Sequence, residues 1–353
     1  MLDYIIVGSG LSGIAVAEQL LSRNKKILVF DDNSQSSSTV AGGIYNPVIL
    51  KRFTLAWNAN EQLDTALSFY SSLEEKLNIS LINPLPIYRR FHSIEEQNNW
   101  FSAMDKPYLS RFLDEKLVSD INPHIPSSHS FGHVKETGVV NTEILLEKYR
   151  SYLTEMNSFQ EDTFDFDHLE LQENICIYKN WKARKIIFCD GFGLKKNPFF
   201  NYLPLNGNKG EYLIIKAEDL KLDVAVKSSV FIIPLGEDLY KVGATYNNWD
   251  KSKEPTEEGK NYLLEKLDGF LKCVFTVVDQ ITGIRPATND RKPLVGKHPK
   301  YANMYCCNGF GSRGVLIGPT VASELINYIE DSIPLSEEID INRFIKKYQA
   351  ASS

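Results

Sequence analysis

Apolar positions along the chain follow two rhythms, and their order predicts most of the secondary structure. Asp3 to Val7 is almost wholly apolar and runs into a glycine cluster, the pattern of a buried strand. Ile14, Ala17, Leu20 and Leu21 then recur at helical spacing, and Lys26 to Phe30 gives a second strand, so the chain opens as a βαβ unit. Glu61 to Asn78 carries Leu63, Leu67, Tyr70, Leu73 and Leu77 along one helical face. Ile186-Ile187-Phe188-Cys189, ending at Asp190-Gly191, predicts a buried parallel strand. Segments 211–217, 229–234 and 239–245 predict antiparallel strands, with a helix over 256–272 packed on them. Tyr305 to Asn308 predicts a last strand before a second glycine cluster, and Pro319 to Glu330 the helix after it. Strand, glycine loop and helix thus stand at both ends, with a sheet of different character between. That order predicts an α/β chain in which one domain (1–82, 137–208 and 280–353) is interrupted by another (83–136 and 209–279).

Composition narrows the function more than the fold. Hydrophobic residues make up 43% and charged residues 24% of the 353, the balance of a globular protein. A net charge of −6 speaks against a nucleic-acid partner, which needs many phosphates neutralised. No run nears the roughly 20 apolar residues that cross a bilayer, and Tyr4 to Val7 leads straight into glycines rather than a cleavage site, so a cytoplasmic protein with no membrane partner is expected. Cys176, Cys189, Cys273, Cys306 and Cys307 form no CxxC pair and the six histidines show no ligand spacing, so neither disulfide nor metal is expected. Cys306 and Cys307 are adjacent in a strand and should point to opposite faces. Ser34 to Thr39 reads as a polar loop, and as a mere linker only if nothing binds there.

The first chemical signal is Gly8-Ser9-Gly10-Leu11-Ser12-Gly13 between strand and helix. Its first glycine allows the turn, the second admits a pyrophosphate to the backbone, and the third lets helix and strand pack closely. Phosphates then meet the free N–H groups and dipole of a helix N-terminus. Asp31, ending the next strand, is placed to accept adenosine ribose hydroxyls, and Asp31 with Asp32 disfavours the extra phosphate of NADP. The motif predicts a dinucleotide without separating NAD from FAD. A second cluster, Gly309-Phe310-Gly311-Ser312-Arg313-Gly314, again precedes a helix; read alone it is either a further ligand loop or an ordinary turn.

Thr282-Gly283-Ile284-Arg285-Pro286-Ala287-Thr288-Asn289-Asp290, then Lys292-Pro293-Leu294-Val295-Gly296, then that glycine cluster, resembles the D-amino acid oxidase/glycine oxidase superfamily. Val7 to Gly13, Ala41-Gly42-Gly43-Ile44, Ile186 to Gly191, Lys209-Gly210 and Ile232-Ile233-Pro234…Val242-Gly243-Ala244-Thr245 match it in order, over nearly the whole chain. The resemblance implies a Rossmann-like, glutathione-reductase-type FAD-binding domain and an inserted α+β substrate domain whose mainly antiparallel sheet covers the flavin. It implies that Gly8 to Gly13, Asp31 and Asp32 hold the ADP part of non-covalent FAD. Ala41, Gly42, Gly43 and Ile44 would pass along the ribityl chain and ring. Cys189, Asp190 and Gly191 would lie near the pyrophosphate, and Gly309, Phe310, Gly311, Ser312, Arg313, Gly314 and Val315 near the pyrimidine edge. Phe164 matches, by position only, a residue lending backbone to adenine.

For the substrate, Arg285 resembles the family's carboxylate anchor, a fork that binds a carboxylate bidentately; the other reading is an arginine paired internally. Arg313 and Arg52 are further candidates, although Arg313 is offset by one from the arginine of glycine oxidases and would then point away. Phe231 stands where glycine oxidases have tyrosine, removing a polar contact. Tyr45, Tyr246 and Trp249 either line the pocket or belong to the core. No cysteine lies near 285–296, where sarcosine oxidases link their flavin. The resemblance implies hydride transfer from a small carboxylated amine to flavin N5, an imine that hydrolyses, and reoxidation by O2 or another acceptor. Tyr45-Asn46-Pro47 is closer to the FAD domain of an enzyme that removes a carboxymethyl group from a tRNA wobble uridine. That activity, or an FAD-binding protein without catalysis, are the alternatives.

Overall fold

Leu2–Val7 is buried from Tyr4 onward and takes the middle of an eight-stranded sheet. The computed structural model describes residues 1–352. Ile27–Asp31 and then Phe159–Glu161 lie parallel on one side, Trp181–Phe188 and Met304–Asn308 parallel on the other. Cys176–Tyr178, Leu169–Leu171 and Leu294–Lys297 add antiparallel pairings. The central stretches Tyr4–Val7, 27–30, 186–188 and 304–307 are apolar on every residue because both faces are covered. Ile6, Val29, Ile187 and Cys307 meet one core, with the helices Leu11–Leu21 and Gly314–Asp331; Ile5, Leu28, Phe30, Ile186, Phe188 and Cys306 meet another. Cys306 and Cys307 therefore sit in different cores, as strand alternation requires.

Two helices differ from expectation for identifiable reasons. The last long helix starts at Gly314 rather than at Pro319, which lies inside it. Pro319 has no N–H for the Val315 carbonyl four residues back, and the buried Tyr70 hydroxyl donates to that carbonyl at 3.0 Å. The helix expected over 256–272 is Glu257–Asp268; the Thr256 side chain accepts from Gly259 N at its start, and Gly269 stands at its end.

The second sheet runs, edge to edge, Thr276–Arg285, Asn208–Lys216, Leu239–Gly243, Phe231–Gly236, Ala225–Lys227, Ile87–Arg90, Phe131–Val134 and Leu113–Val118. Its pairs are antiparallel except Ala225–Lys227 with Ile87–Arg90. Leu213, Ile215 and Val242 pack against Leu263 and Leu267 of the helix Glu257–Asp268. Because Thr276–Arg285 lies wholly in this sheet, the boundary expected at 279/280 falls inside a strand. Ser353, the end of that expected segment, lies outside the described residues. Among the described residues, no helix is long and apolar enough to cross a membrane.

Candidate cofactor and substrate site

One cavity of about 590 Å³ is lined by residues of both sheets and of both glycine clusters. At its nucleotide end, Gly8 has φ +103°, and a Cβ there would collide with the Cys189 carbonyl. A Cβ on Gly13 would collide with the Gly8 carbonyl, so the first helix is pressed onto the first strand. Gly8, Gly10, Leu11 and Ser12 line the cavity. Ser9 and Gly13, predicted with them, do not: Ser9 is buried and shapes the turn by donating its N–H to Asp31 Oδ2 at 2.5 Å.

Asp31 lines the cavity, whereas Asp32 turns away to accept from Ser34 N at 2.9 Å and Thr163 Oγ1 at 3.0 Å. Burial tends to raise the Asp32 carboxyl, but those hydrogen bonds outweigh it and hold the group below the usual carboxylate range. Arg150 belongs to the helix Thr142–Glu155, where the sequence shows it only as one polar residue on an amphipathic helix. Its Nε donates to Ser9 Oγ at 2.7 Å and its Nη2 reaches Asp31 at 3.4 Å. The polar loop after Asp31 is a wall: Gln35, Ser37 and Ser38 line the cavity, and Ser38 Oγ accepts from Leu11 N at 3.3 Å.

Cys189, Asp190 and Gly191 form the opposite wall. Burial pushes the Asp190 carboxyl up to about 6 against the pull of hydrogen bonds from Asn197 Nδ2 at 3.1 Å and Asn308 Nδ2 at 2.9 Å. Phe164 is not in the cavity; its ring stacks on Tyr178 at 4.0 Å in the aromatic core, where burial of an apolar ring outweighs a place at a polar wall.

Ala41, Gly42, Gly43 and Ile44 line the middle, as do Phe310, Gly311, Ser312, Arg313, Gly314 and Val315. Gly309 does not; at φ +81° it makes the turn, with Thr288 Cγ2 3.0 Å from where its Cβ would be. Arg313 faces the cavity despite its offset, because it is the residue from which the helix Gly314–Asp331 springs. Its Nη1 is buried without a hydrogen-bond partner, and burial, then the Arg291 charge, hold it below the usual arginine range.

The substrate end is one face of the second sheet. Residues of five neighbouring strands line it: Gly283 and Arg285, Gly210 and Tyr212, and Phe231 and Ile233 alternate along three of them, Lys227 and Gly243 each end one, and Ala244, Thr245 and Tyr246 continue past Gly243. Arg285 Nη1 donates to Asn208 Oδ1 at 2.7 Å and to the Thr245 carbonyl at 3.3 Å. No carboxylate pairs with Arg285 among the described residues, so the internal pairing is a brace on one nitrogen rather than neutralisation. Tyr246 lines the mouth and is 67% exposed.

Three expected substrate contacts are corrected. Tyr45 is 5% exposed and packs against Gly138, because along the strand Ile44–Tyr45 the cavity takes Ile44 and the core takes its neighbour. Arg52 is exposed outside the cavity, in a turn closed by its N–H on the Ile49 carbonyl at 3.0 Å; Lys51 is at the cavity edge instead. Trp249, 91% exposed, stands off the cavity on a turn set by Asn247 Oδ1 accepting its N–H at 2.8 Å. Lys227 and Tyr212 also line the cavity, on the same sheet face as Phe231 and Gly210.

The donor set fits FAD. Asp31 offers a carboxylate at one end, two glycine-rich helix starts offer N–H groups, and Arg313 Nη1 is a buried donor with nothing to bind. A family model described as DAO, FAD dependent oxidoreductase, matches residues 3–328. The glycine oxidase of Bacillus subtilis (strain 168) is 22% identical, over 93% of this chain and 92% of its own. The tRNA 5-methylaminomethyl-2-thiouridine biosynthesis bifunctional protein MnmC of Legionella pneumophila is 23% identical over 97% of this chain, which spans 57% of that relative. Glycine oxidase from Bacillus cereus ATCC 14579 superposes with a TM-score of 0.77 at 21% identity, covering 95% of this chain and 96% of that one. Iminodiacetate oxidase from Chelativorans sp. BNC1 superposes at 0.79 with 16% identity, covering 95% and 98%. The chain belongs to the DAO family of FAD-dependent oxidoreductases.

Proposed function

We propose that this chain oxidises a small carboxylated amine, an amino acid or N-substituted glycine, at the C–H bond beside the nitrogen. The observation that carries the reading is Arg285, a charged fork without an acid partner on the sheet face that shares its cavity with the glycine cluster. FAD, when bound, supplies the acceptor for the two electrons of that bond. Gly8, Gly10, Asp31, Ala41 to Ile44, Gly191 and Phe310 to Val315 would hold it.

Arg285 binds the carboxylate through the nitrogens left free, and the contacts of Nη1 with Asn208 and Thr245 hold the fork before substrate arrives. Tyr212, Phe231 and Ile233 exclude water from the reacting carbon. The chain's contribution is thus orientation in a dry cavity rather than proton abstraction.

Arg285→Lys tests this, since it keeps the charge and loses the fork. Flavin content should stay near normal while turnover of carboxylated amines falls roughly 10- to 1,000-fold, the loss expected for a charge-assisted bidentate contact. Amines lacking the carboxylate should lose little. An equal fall for both classes would mean that Arg285 holds the protein or the flavin. A second reading, removal of a carboxymethyl group from a modified tRNA wobble uridine, is favoured by the likeness to the Legionella protein. It would use the same anchor, with exposed Tyr246 at the mouth meeting the base.

A further inference from the structure

Oxidation of an amine with one carboxylate leaves a second cation of the cavity without work. Lys227 ends the strand Ala225–Lys227 and lines the same cavity as Arg285. Its Nζ stands 5.1 Å from the centroid of the Phe231 ring and donates to the Ser229 carbonyl at 2.9 Å. Burial, with the nearby charges of Arg89 and Lys51, pushes it down to about 8. Arg89 is already matched, by Glu96 at 2.6 Å and by the Ser228 carbonyl at 2.8 Å. Lys51, at the cavity edge, meets no carboxylate among the described residues, and neither does Lys227. A half-buried ammonium whose charged neighbours are cations is unfavourable unless an anion joins it.

Strand pairing fixes how far this cation stands from the anchor. Lys227 is opposite Phe231, Phe231 opposite Gly243, and Gly243 opposite Tyr212, so the four form one row across the sheet. The Arg285 guanidinium lies over Gly210, two residues from that row along the strand of Tyr212. The ammonium lies over Phe231, two strands away. Strand spacings of ~4.8 Å and ~3.4 Å per residue put the backbone positions beneath the two cations roughly 12 Å apart, which sets the scale of their separation. With a carboxylate carbon roughly 4 Å from each cation, a molecule bearing anions about 4–5 Å apart bridges them.

We propose that Lys227, assisted by Lys51, is a second anion subsite, and that the substrate class is a short amine with two carboxylates, one on Arg285 and one on Lys227. The inference rests on the amine-oxidase reading for its chemistry, but its anion geometry is testable without turnover. The oxidised FAD-loaded protein is titrated with acetate and with glutarate, following the visible flavin spectrum. Glutarate should bind about tenfold more tightly than acetate, the gain of one added charge-assisted contact. In Lys227→Met, which keeps the apolar stem, the glutarate-to-acetate ratio should fall toward one; Lys227→Arg should restore it. In kinetics, the preference for iminodiacetate over N-methylglycine in kcat/KM should fall with Lys227→Met, chiefly through KM. A wild-type ratio near one, or a ratio that survives Lys227→Met, overturns the subsite while leaving the single-carboxylate reading intact. A short RNA oligonucleotide whose binding depends on Lys227 while glutarate binding does not would assign the subsite to a phosphate and overturn the proposal. Loss of the Arg285 dependence instead sinks the amine-oxidase reading itself.

Discussion

The guanidinium of Arg285 lies so closely against Gly210 that any side chain at 210 would occupy its place. The two residues are near-neighbours across paired strands, Arg285 opposite Asn208 and Gly210 opposite Gly283. Gly210 is thus a positioning residue for the fork. Gly210→Ala should retain FAD, break the Arg285–Asn208 contact and lower kcat/KM for carboxylated amines by roughly 10- to 100-fold, as misplacement of an orienting group does. Parallel measurement of flavin content and kcat/KM checks this; loss of flavin in step with activity would refute a role confined to Arg285.

At the other end of the cavity, the proposed ribose contact is Asp31, with Arg150 behind it. Asp31→Ala should weaken FAD binding by about tenfold or more, the cost of a lost charge-assisted hydrogen bond. Arg150→Ala should weaken it less, because Arg150 acts through Ser9 and Asp31. Fluorescence titration of apoprotein with FAD reads both. Equal affinity in the Asp31 variant would remove that carboxylate from the site.

Acid stability should depend on Glu330. It is half-buried, which alone would raise its pKa, but hydrogen bonds from Lys25 and Tyr4 and the charge of Lys185 hold it at about 2, below an ordinary 4.5. A depressed pKa stabilises the fold above the unfolded value, and the contribution fades as pH falls from 4.5 through about 2. Allowing for screening of the partly exposed lysines, it is on the order of 2 kcal/mol. Glu330→Gln should therefore lower the urea midpoint at pH 7, and the gap from wild type should narrow steadily toward pH 2. A gap independent of pH would show that packing, not charge, carries the effect.

Residues whose roles follow from local backbone demands were legible in the sequence. Gly8 and Gly13 needed only strand–turn–helix order, and Cys306 and Cys307 only the twofold period of a strand. Side chains whose direction depends on distant partners were not. Tyr45 is drawn into the core by the gap at Gly138, nearly a hundred residues on; Phe164 is drawn away by Tyr178. Arg150 acquires its role only when its helix crosses the glycine turn. Lys227 has no distinguishing neighbour in the sequence, and its meaning comes from the row it shares with Phe231, Gly243 and Tyr212.

The cavity draws on residues from Gly8 to Leu316, and its walls close only when Met304–Asn308 joins the first sheet and Gly314–Asp331 docks behind it. A chain emerging from the ribosome can pair its first glycine loop with Asp31, Ser38, Arg150 and Cys189, but the facing wall of the cavity waits for these late segments. The second sheet, complete by Arg285, can form before that moment. Completion of the cofactor site is thereby timed to the end of synthesis: a chain stalled at residue 300 would carry Arg285 and the nucleotide end of the cavity but lack the wall formed by Phe310 to Val315.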